Sequence, residues 1–275
     1  MSVRQHGRFG RRPGVSEIGS QFKLESYLVD PLPVWNGDDD FTSGVKDWGL
    51  FGNGPDPLVT DQGPDFQGVG DCVWASAVHK CMADAWTSKE QPVGNWNDWS
   101  VWPTPNWLVP EYLQVEGGDN GTDLGAFLLW WTQNELGPIG KLGGFVQLVA
   151  SPGGNAPATG ALYQSAFHIG GGLFAGFLVS YEAVDQYDAG HGWTSLSTNW
   201  AGGHGCPHLR RNAKKGGLIT WATDQDFSWE WKRLCTEEEY MLLTPEMMAA
   251  PGGVFHGIQV AQLKADIKAL GGTVS

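Results

Sequence analysis

Apolar residues with helical spacing begin just after Gly70, in the segment GDCVWASAVHKCMADAW. They recur at intervals of three and four residues, the period of one face of an α-helix, at Val73, Ala77, Val78, Cys81 and Ala85. Asp71 precedes them, and aspartate is a favoured N-cap because its carboxylate accepts a backbone N–H of the first turn. The pattern predicts a helix that begins at Cys72.

Two more helices are predicted in the middle of the chain. The segment TDLGAFLLWWTQNEL is capped by Thr122 or Asp123 and is followed by Gly137 and Pro138, which stop a helix. The segment ALYQSAFHIG has a similar apolar spacing and ends in the glycines at 170–172.

A tryptophan-rich segment, NWNDWSVWPTPNWLVPEYL, separates the first two helices. Trp96, Trp99 and Trp102 stand among proline and asparagine residues, which is typical of a loop. Such a loop either packs its indoles as anchors or presents them to a sugar or a protein partner.

Strand-like runs dominate the second half of the chain: LFAGFLVSY, PHLRR and GLITWA, the last two joined by a turn at RNAKKGG. A short helix, SWEWKRLCTEE, and a strand, EYMLLT, follow. The tail is predicted to be an amphipathic helix with one apolar stripe at Ile258, Val260, Leu263, Ile267 and Leu270. Helices followed by strands predict an α+β architecture, with a helical half beside a sheet half.

Charge is distributed unevenly along the chain. The 275 residues carry a formal net charge of −13, yet residues 1–14 contain four arginines and no acidic residue. The acidic remainder repels phosphate backbones, which argues against nucleic-acid binding by the main domain. Apolar runs such as 126–131 are far shorter than the roughly 18 residues of a membrane span. No apolar region follows the basic start, so we expect neither a membrane span nor a signal peptide.

Proline, glycine and few apolar repeats indicate an extended arm in residues 1–60. A domain at 61–245 and a C-terminal linker with the amphipathic helix at 246–275 complete the predicted organisation. The basic start of the arm suits an acidic surface, so we expect the arm to contact a partner subunit; the alternative is that it folds back along its own domain. The acidic run at 38–40 is interpreted as a solvated turn, because the ligand spacing of a calcium loop is absent.

The four cysteines, Cys72, Cys81, Cys206 and Cys235, are too sparse and irregular for a disulfide scaffold. No CxxC pair is present, which removes the strongest zinc signature. The alternate spacing of His204, Cys206 and His208 is a weaker metal-site pattern that lacks an indicated fourth ligand. We therefore expect no cofactor.

A cysteine in the first turn of a helix is placed for chemistry, because the helix dipole stabilises its thiolate. Nucleophilic catalysis also needs a histidine base and an oxyanion donor. Gln67 lies five positions before Cys72, and His204 stands between glycines in AGGHGC. His191 is a rival base, and His79 is interpreted as structural. The alternative is that the cysteine packs in the core and the histidine is a satisfied polar group.

These segments in this order resemble the papain-like cysteine peptidases. More closely, GDCV opening a helix and GGHG before a strand resemble the papain-type proteins encoded by bacteriophages and some bacteria, over roughly residues 60–245. The resemblance implies a helical half, with the cysteine helix packed on an antiparallel sheet or barrel half. It also implies Cys72 as nucleophile, His204 as general base and acid, and Gln67 as oxyanion donor.

Three positions depart from the family pattern. The glutamine normally stands six positions before the cysteine, where this chain has Phe66. The asparagine that orients the histidine is replaced by Ile219, so Thr220 or Asp224 is expected to substitute for it. Pro207 follows the histidine closely and predicts that its strand lies at a sheet edge or contains a bulge.

The resemblance implies a cysteine peptidase or amidase that hydrolyses its substrate through an acyl-enzyme. The phage-encoded relatives imply a virion component, made in the host cytoplasm, that contacts other virion subunits through residues 1–60 and acts on a peptide or cell-surface substrate. The alternative is a catalytically inert virion protein, minor tail or capsid-associated, that keeps the papain-like scaffold.

Overall fold

The computed structural model describes residues 11–12, 38–42, 48, 69–88, 107–149, 161–221, 223–255, 258–269 and 273–275. Within these ranges the chain mixes α-helices with mostly antiparallel strands, so the predicted α+β class is confirmed.

Eight α-helices occur in the described ranges: α1 Cys72–Ser88, α2 Leu108–Val115, α3 Leu124–Gln133, α4 Ala161–Ile169, α5 Tyr181–Asp188, α6 Trp229–Cys235, α7 Pro245–Met248 and α8 Val260–Ala269. The predicted helices α1, α3, α4, α6 and α8 are all present. Side-chain caps begin two of them, because Asp123 accepts from the Ala126 amide and Ser228 from the Trp231 amide. None of these helices has both the length and the apolar character needed to span a membrane.

Two helix predictions need correction. The segment interpreted as a loop contains α2. Pro110 does not prevent this helix, because it lies in the first turn, where the backbone N–H groups have no acceptor within the helix. Helix α3 ends at Gln133, ahead of Gly137, because Asn134 is already extended, with φ −122° and ψ 157°. Trp96, Trp99 and Trp102 lie outside the described residues.

Twelve strands are described: β1 Arg11–Arg12, β2 Asp39–Asp40, β3 Thr122–Asp123, β4 Gly144–Val149, β5 Leu173–Ser180, β6 Trp200–Arg211, β7 Lys215–Thr220, β8 Thr223–Ser228, β9 Thr236–Leu243, β10 Val254–Phe255, β11 Ile258–Gln259 and β12 Thr273–Val274. Most join one antiparallel sheet in the order β12-β4-β9-β5-β6-β7-β8, with β2 also paired to β6. A parallel pair, β1 with β3, and an antiparallel pair, β10 with β11, stand outside it.

Strand β6 fits only one of the two alternatives predicted from Pro207, because its pairing with β7 contains a register shift between His208 and Arg210 but it does not lie at a sheet edge. It begins at Trp200, seven residues before the predicted strand, and it lies inside the sheet between β5 and β7, so the edge position is wrong. Pairing with β7 begins only at His208, where the register shifts before Arg210. Pro207 is opposite Phe174 of β5 and precedes the β7 ladder, so its missing N–H interrupts no pair of that ladder.

The buried hydrophobic side chains form two groups. Helix α1 and Ile219 belong to one, which we call the helix-side cluster. The second group, which we call the tryptophan cluster, contains Ala175, Phe177, Val179, Ala183, Val184, Trp193, Cys206, Leu218, Trp221, Phe227, Trp229, Trp231 and Cys235. Neighbouring residues of β7 divide between the two, Leu218 in the tryptophan cluster and Ile219 in the helix-side cluster, as alternation along a strand requires.

Helix α1 packs directly on β6. Ser76 donates to the Gly205 carbonyl oxygen at 2.7 Å, and a Cβ at residue 205 would lie 3.0 Å from Val73 Cγ2. Any side chain at residue 205 would therefore require the first turn of α1 to shift by a few tenths of an ångström. The contact brings Cys72, the first residue of α1, to the strand that carries His204.

The described parts of both terminal segments lie against this fold. Asp39 pairs with Arg211 across β2 and β6, so the acidic run forms a strand rather than a solvated turn. Phe41 packs on Phe167 with ring centroids 5.9 Å apart. This contact agrees with the alternative in which the arm folds back along its own domain. Strand β12 extends the sheet, and the stripe of α8 joins the helix-side cluster at Val260, Leu263 and Ile267. Leu270 lies outside the described residues.

Candidate active site

Cys72 is the first residue of α1 and is completely buried. The Gly205 N–H donates to its Sγ at a distance of 3.3 Å. A helix N-terminus and a backbone N–H both favour negative charge on sulfur, so the position suits a thiolate. The donor belongs to the residue that directly follows His204, and the fold thereby joins two segments that are far apart in the sequence.

His204 is held by the neighbouring strand β7. Its Nε2 lies 2.6 Å from Thr220 Oγ1, in a contact that is buried on both sides. Since Thr220 engages Nε2, the nitrogen that remains for proton exchange with a reacting group is Nδ1. Thr220 is thus the residue that orients the imidazole.

Trp221 covers the same imidazole. The two rings are stacked, with centroids 4.9 Å apart and planes at 24°. Among described residues other than glycine, only Trp221 has a positive φ, +43°, a conformation that costs of order 1–3 kcal/mol. The Tyr187 hydroxyl donates to the Trp221 carbonyl oxygen at 2.9 Å, and the Tyr187 ring meets the indole edge-on at 4.6 Å. These contacts hold the strained residue over His204.

Asp224, the other residue expected to orient the histidine, has a different role. It accepts from Arg210 at 2.9 and 3.2 Å, next to Asp226, which accepts from Arg210 at 2.6 Å and from Lys215 at 2.5 Å. Although burial opposes the Arg210 charge, the hydrogen bonds that Arg210 donates to these two carboxylates raise its pKa. The group is a partly exposed ion-pair network.

Of the two oxyanion donors expected from the sequence, only one lies in the part of the chain that the structure describes. Gln67 lies outside the described residues. The backbone N–H of Cys72 is in the first turn of α1, where amides have no acceptor within the helix. This amide is therefore the backbone donor that lies at the candidate nucleophile.

The other histidines lie in separate environments. His191 is exposed in a shallow groove of about 430 Å³, which it lines together with Tyr187, Asp188 and Asp226. His79 is buried on α1, and its Nε2 lies 2.8 Å from the Trp48 carbonyl oxygen. Burial lowers the pKa of His79 to about 4, and the Trp48 hydrogen bond opposes this shift. The contacts of His79 agree with a structural role.

Three possible metal ligands alternate along β6: His204, Cys206 and His208. Their contacts do not converge on a common site. His208 Nδ1 lies 3.0 Å from the Tyr163 hydroxyl and 3.2 Å from Glu239, instead of turning toward His204. Glu239 also accepts from Lys232 at 2.6 Å, which completes a buried polar network that the sequence pattern did not predict. Within the described ranges, no group of three His, Cys, Asp or Glu side chains is arranged to hold a metal ion.

Sequence reasoning singled out Cys72 and His204 as candidates but missed the donor at Gly205. The available signal was the glycine itself, since a glycine beside a candidate base is a position where another backbone can approach closely. A thiol near a helix dipole and an amide donor, with an oriented and shielded imidazole on the residue before that donor, can support thiolate chemistry. The chain matches no protein-family model, and no curated protein matches it significantly.

Proposed function

We propose that this protein is a papain-like cysteine peptidase or amidase, with Cys72 as nucleophile and His204 as general base and acid. One observation carries the proposal: Cys72 Sγ accepts from the amide of Gly205, directly after a histidine whose Nε2 is engaged by Thr220. Thr220 takes the part that an orienting asparagine has in the papain-like peptidases, and Trp221 shields the imidazole.

The chemistry follows from these positions. The thiolate of Cys72 attacks an amide carbonyl carbon, and the carbonyl oxygen becomes an oxyanion near the Cys72 N–H. His204 gives its proton to the leaving amine nitrogen as the C–N bond breaks, which leaves a thioester. His204 then removes a proton from water, the resulting hydroxide displaces the thiolate, and a carboxylic acid leaves. Gln67 is the expected second oxyanion donor.

The pH dependence of Cys72 alkylation by iodoacetamide tests this proposal, with the modified peptide quantified by mass spectrometry. We expect wild-type Cys72 to react well below the pKa of a free thiol, about 8.5, because an imidazolium stabilises the thiolate. The variant His204→Ala is expected to react only near that value, and His191→Ala serves as the matched control. An inert Cys72, or the same profile without His204, contradicts the enzymatic proposal.

The resemblance to phage-encoded proteins extends the proposal to a virion. The protein is then a particle component, made in the host cytoplasm, that cuts peptides at the cell surface during entry. Complete burial of both Cys72 and His204 favours a second candidate, an inert virion protein, minor tail or capsid-associated, that keeps the scaffold.

Purified particles of the phage that encodes this chain test both virion proposals. Deleting the whole of residues 1–60 would remove Phe41 and Trp48 from the core, so we choose deletion of residues 1–37. We expect wild type and Cys72→Ala in the particles, and the truncated chain in the soluble fraction. Absence of the wild-type protein from particles contradicts a virion role, and normal incorporation of a folded truncated chain contradicts the role of the arm.

A further inference from the structure

The Thr220 hydroxyl needs a second partner besides His204. A hydroxyl has one proton to donate, whereas its oxygen can accept. If His204 exchanges protons through Nδ1, its Nε2 keeps a proton in both the neutral and the charged state. The 2.6 Å contact is then always Nε2–H donating to Thr220 Oγ1. The proton of the hydroxyl must therefore point toward a different acceptor.

Cys206 is a candidate for that acceptor. Strands β6 and β7 begin to pair at His208 and Leu218, and extending this register by two residues on each strand would place Cys206 opposite Thr220. Directly opposed side chains on neighbouring strands have Cβ atoms about 5 Å apart. Cys206 and Thr220 are both buried, and Cys206 packs in the tryptophan cluster with Trp221.

The electrostatics of Cys206 agree with this placement. Burial raises the pKa of its thiol well above the ordinary value, the Cys72 charge raises it further, and a hydrogen bond with the Thr220 hydroxyl lowers it. Cys206 is therefore a neutral thiol that interacts with Thr220 and senses the charge of the nucleophile.

We propose that Cys206 is a positioning residue whose Sγ accepts the Thr220 hydroxyl proton. The resulting chain runs from His204 Nε2–H to Thr220 Oγ1 and from Thr220 O–H to Cys206 Sγ. It keeps the neutral imidazole as the Nε2–H tautomer, which leaves Nδ1 as the basic nitrogen. This role rests on the proposed function, because it presumes that His204 works through Nδ1.

Two substitutions at Cys206 and one elsewhere separate this role from simple packing. Cys206→Ala removes the acceptor, and Cys206→Ser restores one. Cys235→Ala is the matched control, because Cys235 is a second buried cysteine of the tryptophan cluster. Thermal unfolding establishes that each full-length variant is folded before it is compared.

The first readout is the pH midpoint of Cys72 alkylation by iodoacetamide. In Cys206→Ala we expect the midpoint to rise by about one pH unit, which lowers the thiolate fraction below the midpoint about tenfold. Cys206→Ser and Cys235→Ala are expected to keep the wild-type midpoint. An unchanged midpoint in Cys206→Ala, or an equal rise in Cys235→Ala, overturns the role of Cys206.

The second readout is the ring ¹⁵N chemical shifts of histidine-labelled protein, with the His204 signals assigned by comparison with His204→Ala. We expect the neutral Nε2–H tautomer in wild type and in Cys206→Ser, and a tautomer mixture in Cys206→Ala. If alkylation depends on His204 while Cys206→Ala changes neither readout, only this inference fails. If alkylation of the wild type is independent of His204, the proposed function fails and this inference fails with it.

Discussion

Glu246 is a buried acid that makes stability depend on pH in an unusual direction. It lies on α7, which packs against α1, the helix that begins at Cys72. Although the residue as a whole is half-buried, its Oε2 is shielded from solvent and accepts no hydrogen bond from the described residues. Burial raises the pKa of Glu246 to about 7, and Asp84 adds to the rise, while a hydrogen bond from Cys81 and the charge of Lys80 oppose it.

The size and sign of the effect follow from proton linkage. The ordinary pKa is 4.5 and the folded value about 7, and each unit corresponds to about 1.4 kcal/mol, so full ionisation costs the fold of the order of 3 kcal/mol. Between these values the unfolded chain has released the proton while the folded chain keeps it. This contribution to stability is complete below pH 4.5, decreases as the pH rises toward 7, and is lost above it.

Urea unfolding of full-length wild type and Glu246→Gln at pH 5, 6, 7 and 8 measures this contribution. Glutamine is neutral throughout, so we expect the variant to gain stability relative to wild type as the pH rises, by most of the estimated 3 kcal/mol. Glu135→Gln changes an exposed carboxyl after α3 and is the matched control. Parallel pH curves for wild type and Glu246→Gln would refute the reasoning, because they would mean that the folded chain does not retain this proton.

Two further predictions test the fold and the assignment of the orienting residue. Gly137 has φ +46°, and a Cβ at this residue would lie 2.3 Å from an indole carbon of Trp107. We therefore expect Gly137→Ala to lower the free energy of unfolding, measured with urea, by about 2 kcal/mol or more. Gly117→Ala is the control for the backbone cost alone, about 1 kcal/mol, because Gly117 has φ +69° and open space around it. Equal losses would show that the clash is relieved without cost. Thr220→Val is expected to raise the pH midpoint of Cys72 alkylation and Asp224→Asn to leave it unchanged, because Thr220 contacts His204 Nε2 whereas Asp224 accepts from Arg210. The reverse result would transfer the orienting role to Asp224.

The sequence predicted those elements whose stabilising features, such as an apolar stripe or a cap, lie within one short segment. Helix α1 has a continuous apolar stripe, and α6 has a serine cap, so both could be read without knowledge of the rest of the chain. Strand β8 could not, because its sequence TDQDFS is polar and its pairing with β7 depends on a neighbour. Tertiary pairing overrides weak strand propensity in such segments.

The choice between Thr220 and Asp224 shows most clearly what a sequence pattern cannot contain. Side chains alternate along a strand, so a slip of one residue in the β7 register would exchange the two faces of the sheet. The actual register pairs Thr220 with Thr223 and directs Ile219 into the helix-side cluster. The isoleucine at the position expected for asparagine therefore faces away from His204, and the hydroxyl one residue later replaces it. Composition and spacing are the same for either register, and only the cross-strand pairing decides which side chain meets the imidazole.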